Sequence, residues 1–333
     1  MFFDHCFPDV SALSQKYNEL VKEREKDKMI YTFTLNPAID YFLTISEELM
    51  VDEVNRGTDA IFKAGGKGLN VSKILSLLNI KSKAVVVLGG FTGDFIRSEF
   101  DKDENIEVIS VKVDGVNRIN MKAHYDHKAL CINGDGPQAD EETKAALMEK
   151  VALIKEGDIA VISGSMMKGF DEKDLIRISD RIHEQGGKVV IDMEKISPET
   201  LKRCRPYLIK PNLYELQILL NDENITKENA KEAINALRKQ GVEKVLLSLG
   251  KDGALLGDEE GFLYLVQPDT VLVNKVGAGD AMLAAFLGKL TQTGDRELAL
   301  RYGGAAGNAV ASKLEDIDGS LIEEYFLQMS VRQ

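Results

Sequence analysis

From Met29 onward the chain alternates short β-rich apolar runs with stretches of helical periodicity, and few architectures accept that alternation. The runs lie at 30–35, 84–88, 159–162, 189–191 and 245–247, with helical patterns between them at 69–78, 141–154, 172–183 and 227–239. Strand and helix in succession predict an α/β fold, a mostly parallel sheet with helices on both faces, whose ligands gather at the carboxyl ends of the strands. Two segments, 41–62 and 108–132, read as strands with no helix between them. They predict an antiparallel flap, a small β-sheet lid from about 39–63 and 108–133. Residues 1–28 stand apart from this scheme. Val10, Leu13, Tyr17, Leu20 and Val21 recur at helical spacing before a charged run at 22–28, which predicts an amphipathic helix and a solvated linker ahead of a domain at 29–333.

Composition removes several classes of function. A chain of 333 residues with 44% hydrophobic content can bury a large core and still carry a lid. A net charge of −12 repels polyanions unless basic residues gather around a pocket, so nucleic acid is not an expected partner. Cys6, Cys131 and Cys204 form no Cys-x-x-Cys pair, and widely spaced thiols in odd number point to a reducing, cytoplasmic setting. The longest apolar runs are strand-sized, and the amino-terminal residues lack a basic segment followed by an apolar one. Neither a membrane span nor a secretory signal is expected.

The strongest chemical signal is the run Val276-Gly277-Ala278-Gly279-Asp280, which leads into an apolar helical stretch at 281–290. Small residues let the backbone approach an anion, and the free N–H groups and dipole of a helix start favour phosphate there. Asp280, in the same first turn, is placed to take a proton from an attacking hydroxyl. A plain helix cap would use the same residues. A second cluster, Gly65-Gly66-Lys67-Gly68-Leu69-Asn70, also opens a helix. It is not a Walker A loop, because Gly68 follows Lys67 where Ser or Thr is needed, and it lacks the third glycine of a dinucleotide fingerprint. Its glycines suit close backbone approach to a sugar, with Lys67 and Asn70 able to contact hydroxyls or phosphate.

Weaker signals sit at other strand ends. Asp40, after Asn36 and Pro37, is either a hydroxyl acceptor or an ordinary turn residue. Lys210-Pro211-Asn212 leads to Glu215, and this pair either supports a hydrated Mg²⁺ through water or forms a helix capping box. Arg118 and Asn120 share one face of a flap strand, and an Arg fork suits a phosphate. His124 and His127 fall on opposite strand faces, which excludes a zinc pair.

In their order along the chain these motifs resemble the PfkB family of carbohydrate kinases, and within it the branch of bacterial 1-phosphofructokinases and tagatose-6-phosphate kinases. The resemblance runs through Thr34 to Asp40, Gly65 to Val71, Gly89 to Gly93, Arg118 to Asn120, Ile132 to Pro137, Ser163 to Ser165, Lys210 to Asn212, Ser248 to Gly250 and Val276 to Asp280. It implies a ribokinase-like core with a β-sheet lid, ATP and Mg²⁺, phosphoryl transfer to a ketose phosphate, and a homodimer joined through the lid. It implies Asp280 as general base, with Gly277, Ala278 and Gly279 as the anion hole. Asp40, Gly65, Gly66, Lys67, Asn70 and Asn120 then fall at the sugar, and Arg118 and Arg56 at its phosphate. Lys210, Asn212, Glu215, Ser248, Gly250, Gly279 and Asn308 match positions near the nucleotide.

Several residues depart from the family pattern. Asn117 replaces the usual Thr before Arg118, Cys131 stands where an acidic residue is common, and Met166-Met167 replaces Leu-Pro after Ser165. Met193-Glu194-Lys195 replaces small polar residues, while Lys275 and Ala281 flank the proposed catalytic turn. The base, its glycines and Arg118 all persist. The resemblance therefore implies an active kinase for fructose 1-phosphate, with tagatose 6-phosphate, ribose or a nucleoside as alternative acceptors, or else a binding module that has lost turnover.

Overall fold

The computed structural model describes residues 28–45, 49–50, 52–125, 128–270, 273, 276–313 and 316–333. The expected amino-terminal helix, Cys6, His127 and Lys275 lie outside the described residues. The chain begins with β1 (Ile30–Thr34), β2 (Ala38–Ile45), β3 (Gly57–Gly65), α1 (Lys67–Leu77), β4 (Ser82–Leu88), α2 (Gly90–Phe100) and β5 (Ile106–Lys112). It continues through β6 (Arg118–Tyr125), β7 (Lys128–Asn133), α3 (Glu141–Val151), β8 (Ile159–Gly164), α4 (Glu172–Glu184), β9 (Lys188–Met193), α5 (Pro198–Cys204) and β10 (Leu208–Ile209). The last third holds α6 (Leu213–Leu220), α7 (Ala230–Lys239), β11 (Lys244–Ser248), β12 (Ala254–Asp258), β13 (Gly261–Val266), α8 (Ala278–Thr293), α9 (Arg296–Ala311), α10 (Gly319–Phe326) and β14 (Ser330–Arg332).

A ten-stranded sheet runs in the order β14-β13-β12-β11-β10-β9-β8-β1-β4-β5. Strands β5 through β11 in that order are parallel, and β12 to β14 close one edge antiparallel. Alternate side chains feed opposite layers. Tyr31 and Phe33 of β1, Ala160 and Ile162 of β8, and Val245 and Leu247 of β11 join the core beneath α3 to α7. Ile30, Ile159, Val161 and Leu246 point the other way, into a second core under α1, α8, α9 and α10. Burial on both faces is why these strands read as continuous apolar runs. Helix α8 is buried almost throughout, and α9 approaches it closely. A Cβ on Gly303 would lie 3.0 Å from the Met282 carbonyl, so the small residues at 303–307 are what let α9 press α8 onto the sheet. Among the described residues no helix is long and apolar enough to cross a membrane.

Strand β1 lies between β4 and β8, so the chain first builds outward to β5 and then returns past β1 to build the other side. Direction reverses between β1 and β8, and a crevice forms outside the carboxyl ends of strands at such a reversal.

The second sheet has four strands in the order β3-β2-β6-β7 and forms the lid. Two expectations about it need correction. β5 was expected to start the second lid segment, but it pairs in parallel with β4 from Ser82↔Ile106 to Leu88↔Lys112 and forms an edge of the large sheet. The lid's second segment therefore begins at Arg118. The lid is also mixed rather than antiparallel, since β2 and β6 pair in parallel. Both strands leave the body near the carboxyl ends of large-sheet strands and so run outward together.

Candidate active site

Helix α8 starts at the carboxyl edge of the sheet on a turn that only glycine adopts readily: Gly277 has φ of 81° and no side chain caps the helix start. The first-turn amides are left to an incoming acceptor, with the helix dipole behind them. Lys210, just past β10, adds a cation. A Cβ on Gly279 would lie 3.0 Å from the Lys210 Nζ, so the ammonium rests against the bare turn. Asp280, Asp192 and Lys210 are all buried.

Four charged groups from four places in the chain converge there. Asp192, next to last in β9, lies 3.5 Å from the Lys210 ammonium and 3.9 Å from that of Lys67, in the first turn of α1. Asn70, one turn further along α1, donates to Oδ2 of Asp280 at 2.8 Å. Burial, followed by the charge of Asp192, pushes the Asp280 carboxyl up to about 6; the Asn70 hydrogen bond, Lys210 and Lys67 restrain the rise. Burial opposes the Lys210 ammonium, yet the charges of Asp192, Asp280 and Glu215 outweigh it and hold its pKa above the ordinary value. A carboxylate poised near 6 beside a helix start with uncapped amides suits a general base at neutral pH.

A second polar cluster is built from the ends of β1 and β8 and from the lid. Asp40 of β2 accepts from Asn120 Nδ2 at 2.8 Å and from Lys122 Nζ at 2.7 Å. Arg118 donates through Nε and Nη2 to the Asn36 carbonyl at 3.3 and 3.1 Å, and Asn36 Nδ2 donates to Ser165 Oγ at 3.3 Å. Gly136 abuts this group: a Cβ there would fall 3.1 Å from Asn36 Oδ1. Thr34 Oγ1, Asn36 Oδ1, Asn120 Oδ1, Ser163 Oγ and Asp192 Oδ2 are buried without a hydrogen-bond partner in the protein. Their residues lie at the carboxyl ends of β1, β8 and β9 and on the lid. Buried polar atoms left unpaired are costly, and a polyhydroxylated ligand would satisfy them.

The pattern of pfkB family carbohydrate kinases matches residues 34–323. The chain belongs to that family. The kinase is 37% identical to the 1-phosphofructokinase of Bacillus subtilis over 286 residues, 85% of this chain and 92% of that protein. It is also 37% identical to the D-tagatose-1-phosphate kinase of Bacillus licheniformis over 287 residues, 85% of this chain and 92% of the relative. The solved structure of phosphofructokinase-2 from Escherichia coli in complex with substrates and products superposes with a TM-score of 0.82 at 29% identity, covering 90% of this chain and 98% of that one.

Within the kinase, Gly277 to Asp280, Lys67, Asn70 and Lys210 meet at one point, while Asp40, Asn120 and Arg118 line the lid side. Gly65 and Gly66 link the two: Gly66, with φ of 135°, is the residue before α1, and Gly65 backs Asp40. Asn212 and Glu215 form a capping box at α6, each side chain bonding the other's amide at 2.9 Å. Glu215 still bears on Lys210 electrostatically. Ser248 neighbours Asn212 through a β-bridge, and Gln267 joins Gly250 to Asn308, donating to Gly250 O at 2.8 Å and accepting from Asn308 at 3.2 Å.

Arg56 is the exception. It is exposed and precedes Gly57, which pairs with Ile45, whereas Arg118 pairs with Ala38 at the opposite end of β2. Seven residues of strand separate those positions, on the order of 20 Å, so hairpin register keeps Arg56 from the Arg118 site of its own chain. Three residues bonded to these candidates escaped the sequence reading. Asp192 carried a signal, an acid closing a buried strand at its carboxyl edge. Lys122 carried another, because the period of two that groups Arg118 with Asn120 extends to it. Gln267 carried none.

A cavity of about 250 Å³ opens beside Asp192 and Lys210, lined also by Pro211, Glu215, Met193 and Ile218. Among the described residues no three His, Cys, Asp or Glu side chains converge as a metal cage. One or two carboxylates with phosphate oxygens are how Mg²⁺ is ordinarily held, and the unpaired Asp192 Oδ2 with nearby Glu215 fits that mode.

Proposed function

We propose that this carbohydrate kinase transfers the terminal phosphoryl group of ATP to a primary hydroxyl of a ketose phosphate, with fructose 1-phosphate as preferred acceptor and fructose 1,6-bisphosphate as product. The observation that carries the reading is the buried Asp280 carboxylate at the mouth of the 277–279 turn, with Lys210 against it. The acceptor oxygen bonds to the γ-phosphorus, the bond to the β-phosphate oxygen breaks, and the hydroxyl proton passes to Asp280. Charge developing on the transferred group meets the first-turn amides and Lys210, donors already oriented before reaction. Mg²⁺, held by Asp192 and Glu215 together with phosphate oxygens, would neutralise triphosphate charge. Asp40 and Asn120 would orient the sugar, and Arg118 would bind the phosphate it already carries.

The lid supports two further readings. Its exposed Phe62, Ile119 and Ile132 share one face, as the pairings through Tyr41, Ile39 and Met121 require. An apolar lid face of this kind favours a homodimer joined lid to lid. Free thiols at Cys131 and Cys204 favour a reducing, cytoplasmic setting.

ADP release measured with fructose 1-phosphate, tagatose 1-phosphate, tagatose 6-phosphate and fructose 6-phosphate tests the proposal. Fructose 1-phosphate should give the highest kcat/KM. Tagatose 1-phosphate is the second reading, favoured by the equal identity to the Bacillus licheniformis relative. Saturable binding without release from any sugar would make the chain a binding module, and preference for ribose unchanged in Arg118→Ala would remove the phosphate-binding role.

A further inference from the structure

Lys122 projects from β6 beside the sugar site, and the reaction described above gives it no part. Its ammonium lies 2.7 Å from Asp40 Oδ2, and the two side chains are largely covered, 14% and 19% exposed. The Phe42 ring closes another side, 4.9 Å from the ammonium. Asn120, two residues earlier on the same strand face, holds the other carboxylate oxygen at 2.8 Å. Behind them the backbone comes so close that only glycine fits at position 65, since a Cβ there would fall 2.9 Å from Oδ2.

This differs from an ordinary surface ion pair, which is solvated and contributes little. Here both oxygens are pinned from one strand by short, charge-assisted hydrogen bonds. An ionised carboxylate offers about four acceptor positions. Asn120 and Lys122 take one on each oxygen, which leaves each oxygen able to accept a hydroxyl. A negative carboxylate beside a phosphorylated acceptor would also repel it, and a cation in contact cancels that charge.

We infer that Lys122 is a positioning residue for the acceptor sugar: it fixes Asp40 so that both oxygens meet sugar hydroxyls, and it cancels a charge that would oppose a phosphorylated ligand. This rests on Asp40 contacting the sugar, as proposed above.

The test is steady-state kinetics of the full chain with fructose 1-phosphate and ATP, each varied, on Lys122→Met, Lys122→Arg, Asp40→Asn and the Asp40→Asn/Lys122→Met double variant. Lys122→Met should raise the sugar-phosphate KM roughly ten-fold or more, the size of one lost charged hydrogen bond, and leave the ATP KM as it was. Lys122→Arg should recover most of the loss. The double variant should be no worse than Asp40→Asn alone, because Lys122 acts through Asp40. Losses that add in the double variant, or a sugar-phosphate KM unmoved by Lys122→Met, overturn the inference. Should the Met variant fail to fold, Lys122→Gln measured in the same way stands in for it under the same criteria. Absence of turnover by the unaltered chain with every ketose phosphate overturns the functional reading first, before any substitution, and the inference with it.

Discussion

Asn70 donates to the Asp280 carboxylate at 2.8 Å across a sequence separation of 210 residues. The bond ties the start of α1 to the start of α8 and favours the charged form of the proposed base against burial and Asp192. Because it favours the ionised form, removing it should drive the Asp280 pKa above its present value of about 6. In Asn70→Leu the acid limb of the kcat/KM profile should move to higher pH. In Asp192→Asn, which removes a neighbouring negative charge, it should move lower. A limb that ignores both substitutions would take Asp280 out of the proton path.

Asp280→Asn keeps the shape and loses the proton acceptor, so kcat should drop by roughly 10²- to 10⁴-fold while the ATP KM stays near wild type. Stability should move the other way. The carboxyl rises from 3.8 in the unfolded chain to about 6 in the fold, so between those values the folded state retains a proton that the unfolded chain releases. The residue's contribution to stability therefore falls as pH rises through that window and stays unfavourable above it. Calorimetry should find Asp280→Asn melting above wild type at pH 7.5, with the difference shrinking towards pH 4.

Lys210→Met leaves Asp192 and Asp280 buried without the cation that Asp192 meets at 3.5 Å. Breaking a buried charge pair from one side costs about 3–5 kcal/mol, and turnover should fall with it because the turn at 277–279 loses its adjacent positive charge. Urea unfolding and ADP release, measured on the same preparation, should show both losses. Stability equal to wild type would mean that Lys210 does not balance those carboxylates.

Gly68→Ala tests how closely α1 lies on β1. The added Cβ would come within 2.5 Å of Thr34 Oγ1 and 2.8 Å of the Phe33 carbonyl, and the carbonyl cannot yield as a flexible side chain could. Overpacking of this kind costs about 1–3 kcal/mol. Since α1 also carries Lys67 and Asn70, kcat should fall at temperatures where the variant is still folded. A variant with wild-type stability and turnover would show that the contact relaxes freely.

Much of this enzyme's fold is legible in its amino-acid sequence. The apolar runs at 84–88, 159–162 and 189–191 became strands buried on both faces because a parallel sheet covered by helices hides every side chain. The turn at 277–280 was legible because glycine and a following acid at a helix start leave a local signature. Local sequence determines such things, since backbone conformation and burial pattern depend on a few neighbouring residues. What tertiary structure alone decided was assembly. Ile106 to Lys112 had the composition of a lid strand, yet pairing with β4 placed it in the large sheet. The resemblance set Arg56 beside Arg118 at the phosphate, and the register of β2 with β3 and β6 separates them along the lid. The Asp192, Lys210, Asn70 and Asp280 cluster depends on four segments meeting at one sheet edge. Its electrostatics arise from burial and from distances of a few ångströms, which are set by packing and are not written in any single stretch of chain.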